Sequence, residues 1–280
     1  MQKSGFIVKI QQFFLEVIEK PVLTSFLVLL LVASVVLGLS MPYYLSNFQE
    51  FYMQVLAEAH GMIFDIAIIG ILLVWLNKRG EERLRIKTYK DEIDDFRLWK
   101  SEEAAFRTVG NIKRLNQHKI YNINLVNCFL AKTNLNYTNL SGSNLNSADI
   151  STSSLLECNL SNARLNQTNF ENSTLNQADL SGAYASGTLF KDAFLIKTCF
   201  DKAYLIKADL RGAFLMEASL NGAYMTGADL TGANLYKADL RNAVGLSMEQ
   251  LQQARTLYMA LLDPEVEQMV RENMPDLLGK

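Results

Sequence analysis

Apolar residues recur at every fifth position from Leu130 to Leu240, and this spacing is the strongest pattern in the chain. A small residue stands two positions before each of them, beginning with Cys128. A short, fixed period of this kind is typical of a solenoid, in which each unit buries its apolar face against its neighbours. Only Ala185 places a small residue in the apolar series, which predicts a void or a local kink in its coil.

The unit of this pattern is clearest in the second half of the series, which reads ADLRG at 208–212, ADLTG at 228–232 and ADLRN at 238–242. These segments resemble the pentapeptide-repeat family, whose consensus is A(D/N)LXX. The resemblance implies a mainly β fold, a right-handed quadrilateral β-helix with four pentapeptides per coil, in which the central Leu and the small residue face inward. We therefore assign residues 123–244 to a pentapeptide-repeat β-helix.

Two apolar segments precede the repeats. Residues 22–40 form a run of 19 residues without a charged side chain, enough for a helix to cross a hydrocarbon core of about 30 Å. The second run, at 62–76, carries Asp65, and a helix that starts near Ala57 has the length to span. A cleaved signal peptide is the alternative for the first run, but that run is long and no small-residue cleavage motif follows it. We predict a transmembrane helical hairpin at 21–77.

The placement of Lys and Arg predicts the orientation of this hairpin. The connection from Met41 to His60 contains no Lys or Arg, whereas both flanks do. By the positive-inside rule, the two flanks are cytoplasmic and the connection is outside. The prediction is an integral protein of a bacterial inner or plasma membrane, or of a thylakoid membrane, with both termini, the 1–20 segment and the repeat domain in the cytoplasm. The basic residues are Lys3, Lys9 and Lys20 before the hairpin and Lys78, Arg79, Arg83, Arg85 and Lys87 after it.

Helices are also predicted in the charged connector at 78–122. An apolar spacing near its start predicts an amphipathic helix. Ser101 is a typical N-cap for a second helix, with Glu102 and Glu103 in its first turn. We expect this helix to cover the open first coil of the solenoid, because an exposed sheet edge favours aggregation. The apolar faces are Ile86, Tyr89, Ile93 and Phe96 on the first helix, and Phe106, Val109, Ile112 and Leu115 on the second.

The C-terminal residues 245–280 leave the five-residue spacing and predict a helical cap. Ser247 and Gln250 have the spacing of a capping box. Asp263 and Pro264 are typical of the N-cap and first position of a second short helix. The first of these helices has a predicted apolar face of Leu251, Ala254, Tyr258 and Leu261.

Outward positions of the later repeats hold large apolar and aromatic side chains. Scattered apolar residues on a surface need no explanation, but residues aligned in one column form a patch of the kind that marks interaction sites. The spacing of 20 between like aromatic residues also predicts ladders along the solenoid. The candidate partner surface is Leu156, Phe194, Ile196, Phe214, Met216 and Tyr236, together with Tyr184, Tyr204 and Tyr224. The expected partner is another protein or a second copy of the chain.

Composition excludes several functions. The only histidines are His60 and His118, and we find no Gly-rich phosphate loop, nucleophile elbow or metal-ligand cluster. We therefore predict no enzymatic activity, no catalytic residue, no metal and no cofactor. Three cysteines without a CxxC pair are typical of a reduced compartment.

Two alternatives to a membrane-anchored, non-enzymatic scaffold remain. Some pentapeptide-repeat proteins protect DNA gyrase as acidic mimics of DNA. Residues 113–242 hold 12 Lys plus Arg and 10 Asp plus Glu, so an acidic mimic is disfavoured and no nucleic-acid partner is expected. Asp65 offers the other alternative, an ion-handling or transport role, because ionisable groups inside membranes are often functional. Its simpler interpretation is a residue near the outer interface or paired with another subunit. The lipid bilayer is the remaining predicted partner.

Overall fold

The structure is a computed structural model that describes residues 21–279, with side chains from residue 28 onward. The chain divides into two compact units, one ending at Arg79 and the other beginning at Gly80. The predicted 1–20 segment, with its three lysines, lies outside the described residues.

The first unit contains two long apolar helices, α1 (Pro21–Ser46) and the start of α2 (Phe48–Asp95). Only Asn47 separates them, so most of the predicted connection from Met41 to His60 is helical. By length and composition, both helices are able to cross a membrane: Val28–Ser46 has a mean hydropathy of 2.1, and α2 contains an equally apolar window. Their apolar side chains are exposed along both helices. These features support membrane association, whereas the orientation stays a prediction.

Helix α2 continues through the charged connector, where Ile86, Tyr89 and Ile93 pack against the core as their spacing predicted. The helix ends at Asp95, and α3 (Glu102–Gln117) follows after a short loop. Polar contacts join the two: Asn111 Nδ2 donates to Glu92 Oε2 at 2.8 Å, and His118 Nδ1 lies 3.3 Å from Glu82 Oε1.

Helix α3 begins at the predicted N-cap, where the Ser101 hydroxyl accepts a hydrogen bond from the Ala104 N–H at 3.2 Å. The predicted apolar face of α3 is wrong at one residue, because Phe106 is 79 % exposed. The small residues at 104, 105 and 108 are buried in its place, and their size allows close packing of the helix backbone. The other predicted residues, Val109, Ile112 and Leu115, are buried as expected.

The repeats form a solenoid whose coils are joined by parallel single-residue bridges from Asn124 to Leu261. Bridged residues are 20 apart in most of the solenoid, and four bridges per coil stack into four columns. At most corners a turn joins one pentapeptide to the next: the N–H of the small residue donates to the carbonyl of the preceding central residue, as from Cys128 to Leu125 at 3.1 Å. Because the chain turns every five residues, bridges take the place of extended strands in the described part of the chain. The large apolar residues at the fifth positions fill the interior, with almost no exposed surface.

The second residue after each central position has a positive φ, and most of these residues are not glycine. Thr152 is the only β-branched residue among them in the described part of the chain, with φ +53°. Branching at Cβ makes this conformation costly, whereas Asn adopts it readily.

We expect Thr152→Asn to raise the free energy of unfolding by about 1 kcal/mol, because it removes this backbone strain. The measurement is the shift of the thermal unfolding midpoint in detergent. The reverse change at the equivalent position one coil on, Asn172→Thr (φ +56°), serves as the matched control and is expected to destabilise. Equal midpoints for both variants would contradict the strain argument.

The C-terminal segment contains less helix than predicted. Helix α4 covers only Met248–Gln252, although its capping box between Ser247 and Gln250 forms as predicted. After α4 the bridges resume, joining Asn234 to Thr256 and Asp239 to Leu261. The predicted helical face past residue 252 was therefore wrong, because these residues extend the solenoid by half a coil.

Two short helices complete the C-terminal end. Helix α5 (Pro264–Asn273) starts at the predicted Asp263–Pro264 pair, and a 3-10 helix covers Pro275–Leu278. The Asp263 carboxylate does not cap α5; it accepts instead from the Asn242 N–H at 3.1 Å. The Leu257 N–H donates to the Leu277 carbonyl at 2.8 Å, so the end segment satisfies part of the open coil edge.

Candidate partner surfaces

The four bridge columns divide the predicted partner residues between two faces. We call the column that contains Phe194 and Phe214 the Phe face, and the column that contains Tyr184, Tyr204 and Tyr224 the Tyr face. One column separates them in each direction around the coil, so they are opposite faces. The prediction of one candidate surface formed by all these residues is therefore not met, because the structure divides them between two opposite faces.

The Phe face carries a ladder of apolar side chains. The rings of Phe194 and Phe214 stack with centroids 4.8 Å apart and planes 5° apart. Phe194 is 42 % exposed, whereas Ile196, Met216 and Tyr236 beside it are half-buried. The ladder therefore presents a continuous apolar surface in which neighbours cover part of each other.

Two residues change the predicted extent of this surface. Tyr258 belongs to it, because its ring stacks on Tyr236 with centroids 5.8 Å apart. Tyr258 falls in the segment that the sequence predicts to be helical, and the inserted α4 changes the spacing between coils from 20 to 22 residues, so its place on this face could not be predicted. Leu156 lies in the same column as Ile196, but the polar side chain of Asn176 occupies the coil between them. Leu156 is therefore separated from the other apolar residues and is not part of this surface. We define the apolar stripe as Phe194, Ile196, Phe214, Met216, Tyr236 and Tyr258.

The Asp or Asn of each repeat has a structural task. Its side chain accepts a hydrogen bond from the N–H two residues later, as between Asn134 Oδ1 and the Asn136 N–H at 3.0 Å. This Asx turn stabilises the bend after the bridged residue. Asp209 does the same for Arg211, whose guanidinium hydrogen-bonds the carboxylate and lowers the pKa of Asp209. Asp209 and its counterparts therefore act as hydrogen-bonding groups at the surface.

Phe194, Phe214 and the three tyrosines occupy this same position and lack the Asx turn. At Phe194 an Asn of the preceding coil substitutes, because Asn176 Oδ1 accepts from the Ile196 N–H at 3.0 Å. No described residue accepts from the corresponding N–H of Met216. A lost hydrogen bond of this type costs about 0.5–1.5 kcal/mol. Residues that break a local rule in this way often serve a function.

The small inward residues also differ between the two halves of the solenoid. In the first half many are Ser or Thr, and their hydroxyls donate to carbonyls of the preceding coil, as from Ser173 to Ile150 at 2.7 Å. Cys158 occupies the same type of position, 3.3 Å from the Thr138 hydroxyl. Burial raises the pKa of the Cys158 thiol to about 12, so it is a packing residue and a poor nucleophile at neutral pH.

Asp65 lies on α2, exposed and outside any salt bridge among the described residues. The structure places no second ionisable side chain against it within that part of the chain. No cluster of three or more His, Cys, Asp or Glu side chains able to hold a metal occurs in residues 21–279. The surfaces of the solenoid are therefore the strongest candidates for a functional site.

Comparison with known proteins concerns the repeats alone. A model of the family "Pentapeptide repeats" matches eight copies, at residues 121–151, 153–192, 186–222, 198–235 and 215–244. A solved pentapeptide repeat protein from the Arabidopsis thaliana thylakoid lumen is 30% identical, with a TM-score of 0.26, over 42% of this chain and 71% of its own. No curated protein sequence matches the chain.

Two further solved structures are more distant. HetL, involved in heterocyst differentiation regulation in the cyanobacterium Nostoc sp. strain PCC 7120, is 23% identical with a TM-score of 0.24, over 55% of this chain and 79% of its own. The plasmid-mediated fluoroquinolone resistance protein QnrB1 is 15% identical with a TM-score of 0.31, over 55% of this chain and 85% of its own. The matched ranges together span residues 121–244, which form most of the bridged coils. The chain belongs to the pentapeptide-repeat family.

Proposed function

We propose that the protein is a membrane-anchored, non-enzymatic scaffold whose right-handed β-helical rod presents the apolar stripe to a protein partner. The stripe carries the proposal, because six apolar side chains follow one another along one face of the solenoid. Apolar patches of this kind mark interaction sites. The two apolar helices support the anchor, since both have the length and composition to cross a bilayer.

The stripe is not needed for the fold itself. Phe194 and Phe214 point away from an interior that the central residues already fill. Their stacking contributes about 0.5–1.5 kcal/mol, which is similar to the value of the one hydrogen bond that the Met216 N–H lacks. The fold therefore gains little from these rings, whereas a partner gains a rigid apolar surface.

We expect the double variant Phe194→Asn/Phe214→Asn to unfold within about 1 kcal/mol of wild type. Asn at position 214 supplies the acceptor that the Met216 N–H lacks and so offsets the lost ring stacking, whereas the Ile196 N–H already has Asn176 as its acceptor. The same variant should lose the partner. The measurement is purification of the full-length protein in a mild detergent, with mass spectrometry of the proteins that co-purify and the molar mass of the particle.

A matched control carries the same change at Leu189, which holds the same repeat position in another column. Leu189→Asn should retain the partner. A second copy of this chain as the partner would appear as a particle mass that falls in the double variant alone. A folded double variant that retains every partner and its mass would contradict the proposed role of the stripe.

A further inference from the structure

The Tyr face combines an aromatic ladder with an unusual distribution of charge. Tyr184, Tyr204 and Tyr224 stack with centroids 4.9 and 4.7 Å apart and planes within 4° of parallel. Face-to-face stacking covers the ring faces between neighbours, so the surface of the ladder consists largely of ring edges. No described residue forms a hydrogen bond with any of the three hydroxyls, and Tyr184 and Tyr224 are 47 % and 37 % exposed.

Charge on this face is entirely positive. Arg164 precedes the ladder in the same column, and Lys202 and Lys207 occupy the two corners beside Tyr204. The face and its corners contain no Asp or Glu; they are formed by residues 142–147, 162–167, 182–187, 202–207 and 222–227. The other three faces all carry carboxylates, for example Asp209, Glu217 and Asp239.

The three cations have no intramolecular partner in the described part of the chain. All salt bridges there involve other basic residues, among them Lys197, which pairs with Glu217 on the Phe face at 3.5 Å. Arg164, Lys202 and Lys207 are exposed. Glycine stands at the corners beside Tyr184 and Tyr224, and the side chains of Lys202 and Lys207 lie against the two glycines beside Tyr224, Gly222 and Gly227.

We propose that the Tyr face binds an acidic segment of a protein partner. Carboxylates accept hydrogen bonds from tyrosine hydroxyls and pair with Lys and Arg. Tyrosine and arginine are also enriched in protein interfaces, where rigid aromatic rings supply contact area. The face lies opposite the apolar stripe, so this inference is independent of the function proposed for that stripe, and the solenoid has room for both partners at once.

Other occupants fit the face less well. A second copy that met it through the same face would bring like charges together, which is costly. A nucleic acid bound through only three cations would have few phosphate contacts, which provide most of the affinity of such complexes. An anionic bilayer attracts exposed lysines, but three cations are fewer than the clusters that bind lipid surfaces.

The test measures binding of a fluorescein-labelled oligoglutamate peptide to the full-length protein in discs of zwitterionic lipid, by fluorescence anisotropy. The charge variant is Arg164→Glu/Lys202→Glu/Lys207→Glu. Its matched control is Lys113→Glu/Lys191→Glu/Lys237→Glu, which changes the net charge equally at exposed positions outside the Tyr face. We expect the charge variant to lose at least about tenfold in affinity and the control to stay within about twofold of wild type.

A third variant separates specific binding from simple charge attraction. Tyr184→Ser/Tyr204→Ser/Tyr224→Ser keeps the charge and should weaken binding several-fold. Should the charge variant fail to fold, Lys202→Gln/Lys207→Gln provides the same comparison with a smaller change. Equal loss in the charge variant and its control would overturn the proposal, as would an unchanged affinity in the Tyr variant. So would binding of only an oligothymidylate or of phosphatidylglycerol vesicles by the wild type.

Discussion

Asn116→Ala is expected to lower the free energy of unfolding by about 2–4 kcal/mol, because it exposes polar backbone groups at the N-terminal edge of the solenoid. The Asn116 amide substitutes for a missing coil beneath Asn139. Its Oδ1 accepts from the Asn139 N–H at 2.7 Å, and its Nδ2 donates to the Asn139 carbonyl at 2.9 Å. The Nδ2 group also lies 3.3 Å from the Ile120 carbonyl. One side chain thus forms three hydrogen bonds with backbone groups.

Two measurements check this expectation. Thermal unfolding gives the stability change, with Gln117→Ala as a control at the exposed neighbouring position. Hydrogen exchange followed by mass spectrometry gives the local effect, because the Asn139 amide should exchange faster once its acceptor is lost. Stability loss with unchanged exchange around Asn139 would show that Asn116 acts through α3 and not through the coil edge.

A second residue completes this edge on another column. The Arg97 guanidinium donates to the Val126 carbonyl at 2.5 Å and to the Asn124 carbonyl at 3.3 Å, and it also pairs with Asp94. Together with Asn116, it provides hydrogen-bond partners that a preceding coil would otherwise supply. An open edge is where such a solenoid would pair with another chain, and these two side chains reduce the number of unpaired backbone groups there.

The interior of the solenoid and the helices at its ends could largely be predicted from the sequence, whereas the side chains that close its N-terminal edge could not. Interior positions such as Leu130 and Leu210 depend only on a five-residue period, because each repeat makes the same contacts as its neighbours. Asn116 and Arg97 stand outside the period, and their function depends on how the loops around α3 meet the first coil. Nothing in their local sequence distinguishes them from other polar residues of a charged connector.

The candidate surfaces fall between these two cases. The 20-residue coil already places Tyr184 and Phe194 two columns apart, since ten residues separate them, so the division into two faces follows from the sequence. The place of Tyr258 on the stripe does not, because it depends on α4, which inserts two residues between Asn234 and Thr256. The excess of positive charge on the Tyr face also cannot be recognised in any one repeat, because it appears only when residues from five coils are assigned to the same face.

Ala185, the one small residue in the apolar series, is expected to be a site where added volume is harmful. Its side chain is fully buried, and the bridges on both sides of Tyr184 continue without interruption, so the predicted kink does not occur. The same coil contains Phe190 and Phe200, whose rings meet edge to face with centroids 5.7 Å apart. Two large rings in one coil therefore offset the small side chain.

We expect Ala185→Leu to lower the free energy of unfolding by about 1–3 kcal/mol, because the coil would become overpacked. Phe190→Leu alone should also destabilise, since it removes part of a ring that stacks on Phe170 with centroids 5.3 Å apart. The double variant Ala185→Leu/Phe190→Leu restores much of the original volume. It should therefore be more stable than the sum of the two single effects predicts.

The measurement is a double-mutant cycle on thermal or denaturant unfolding of the full-length protein, in which a coupling of about 1 kcal/mol or more shows that the two side chains share space. Additive effects would mean that Ala185 and Phe190 are packed independently. The small size of residue 185 would then not be explained by the large ring of Phe190. A coupling of this size would show that the total side-chain volume of this coil, and not the size of each residue alone, limits its packing. This explains how a five-residue period tolerates Ala at one position when the other central residues of the same coil are large.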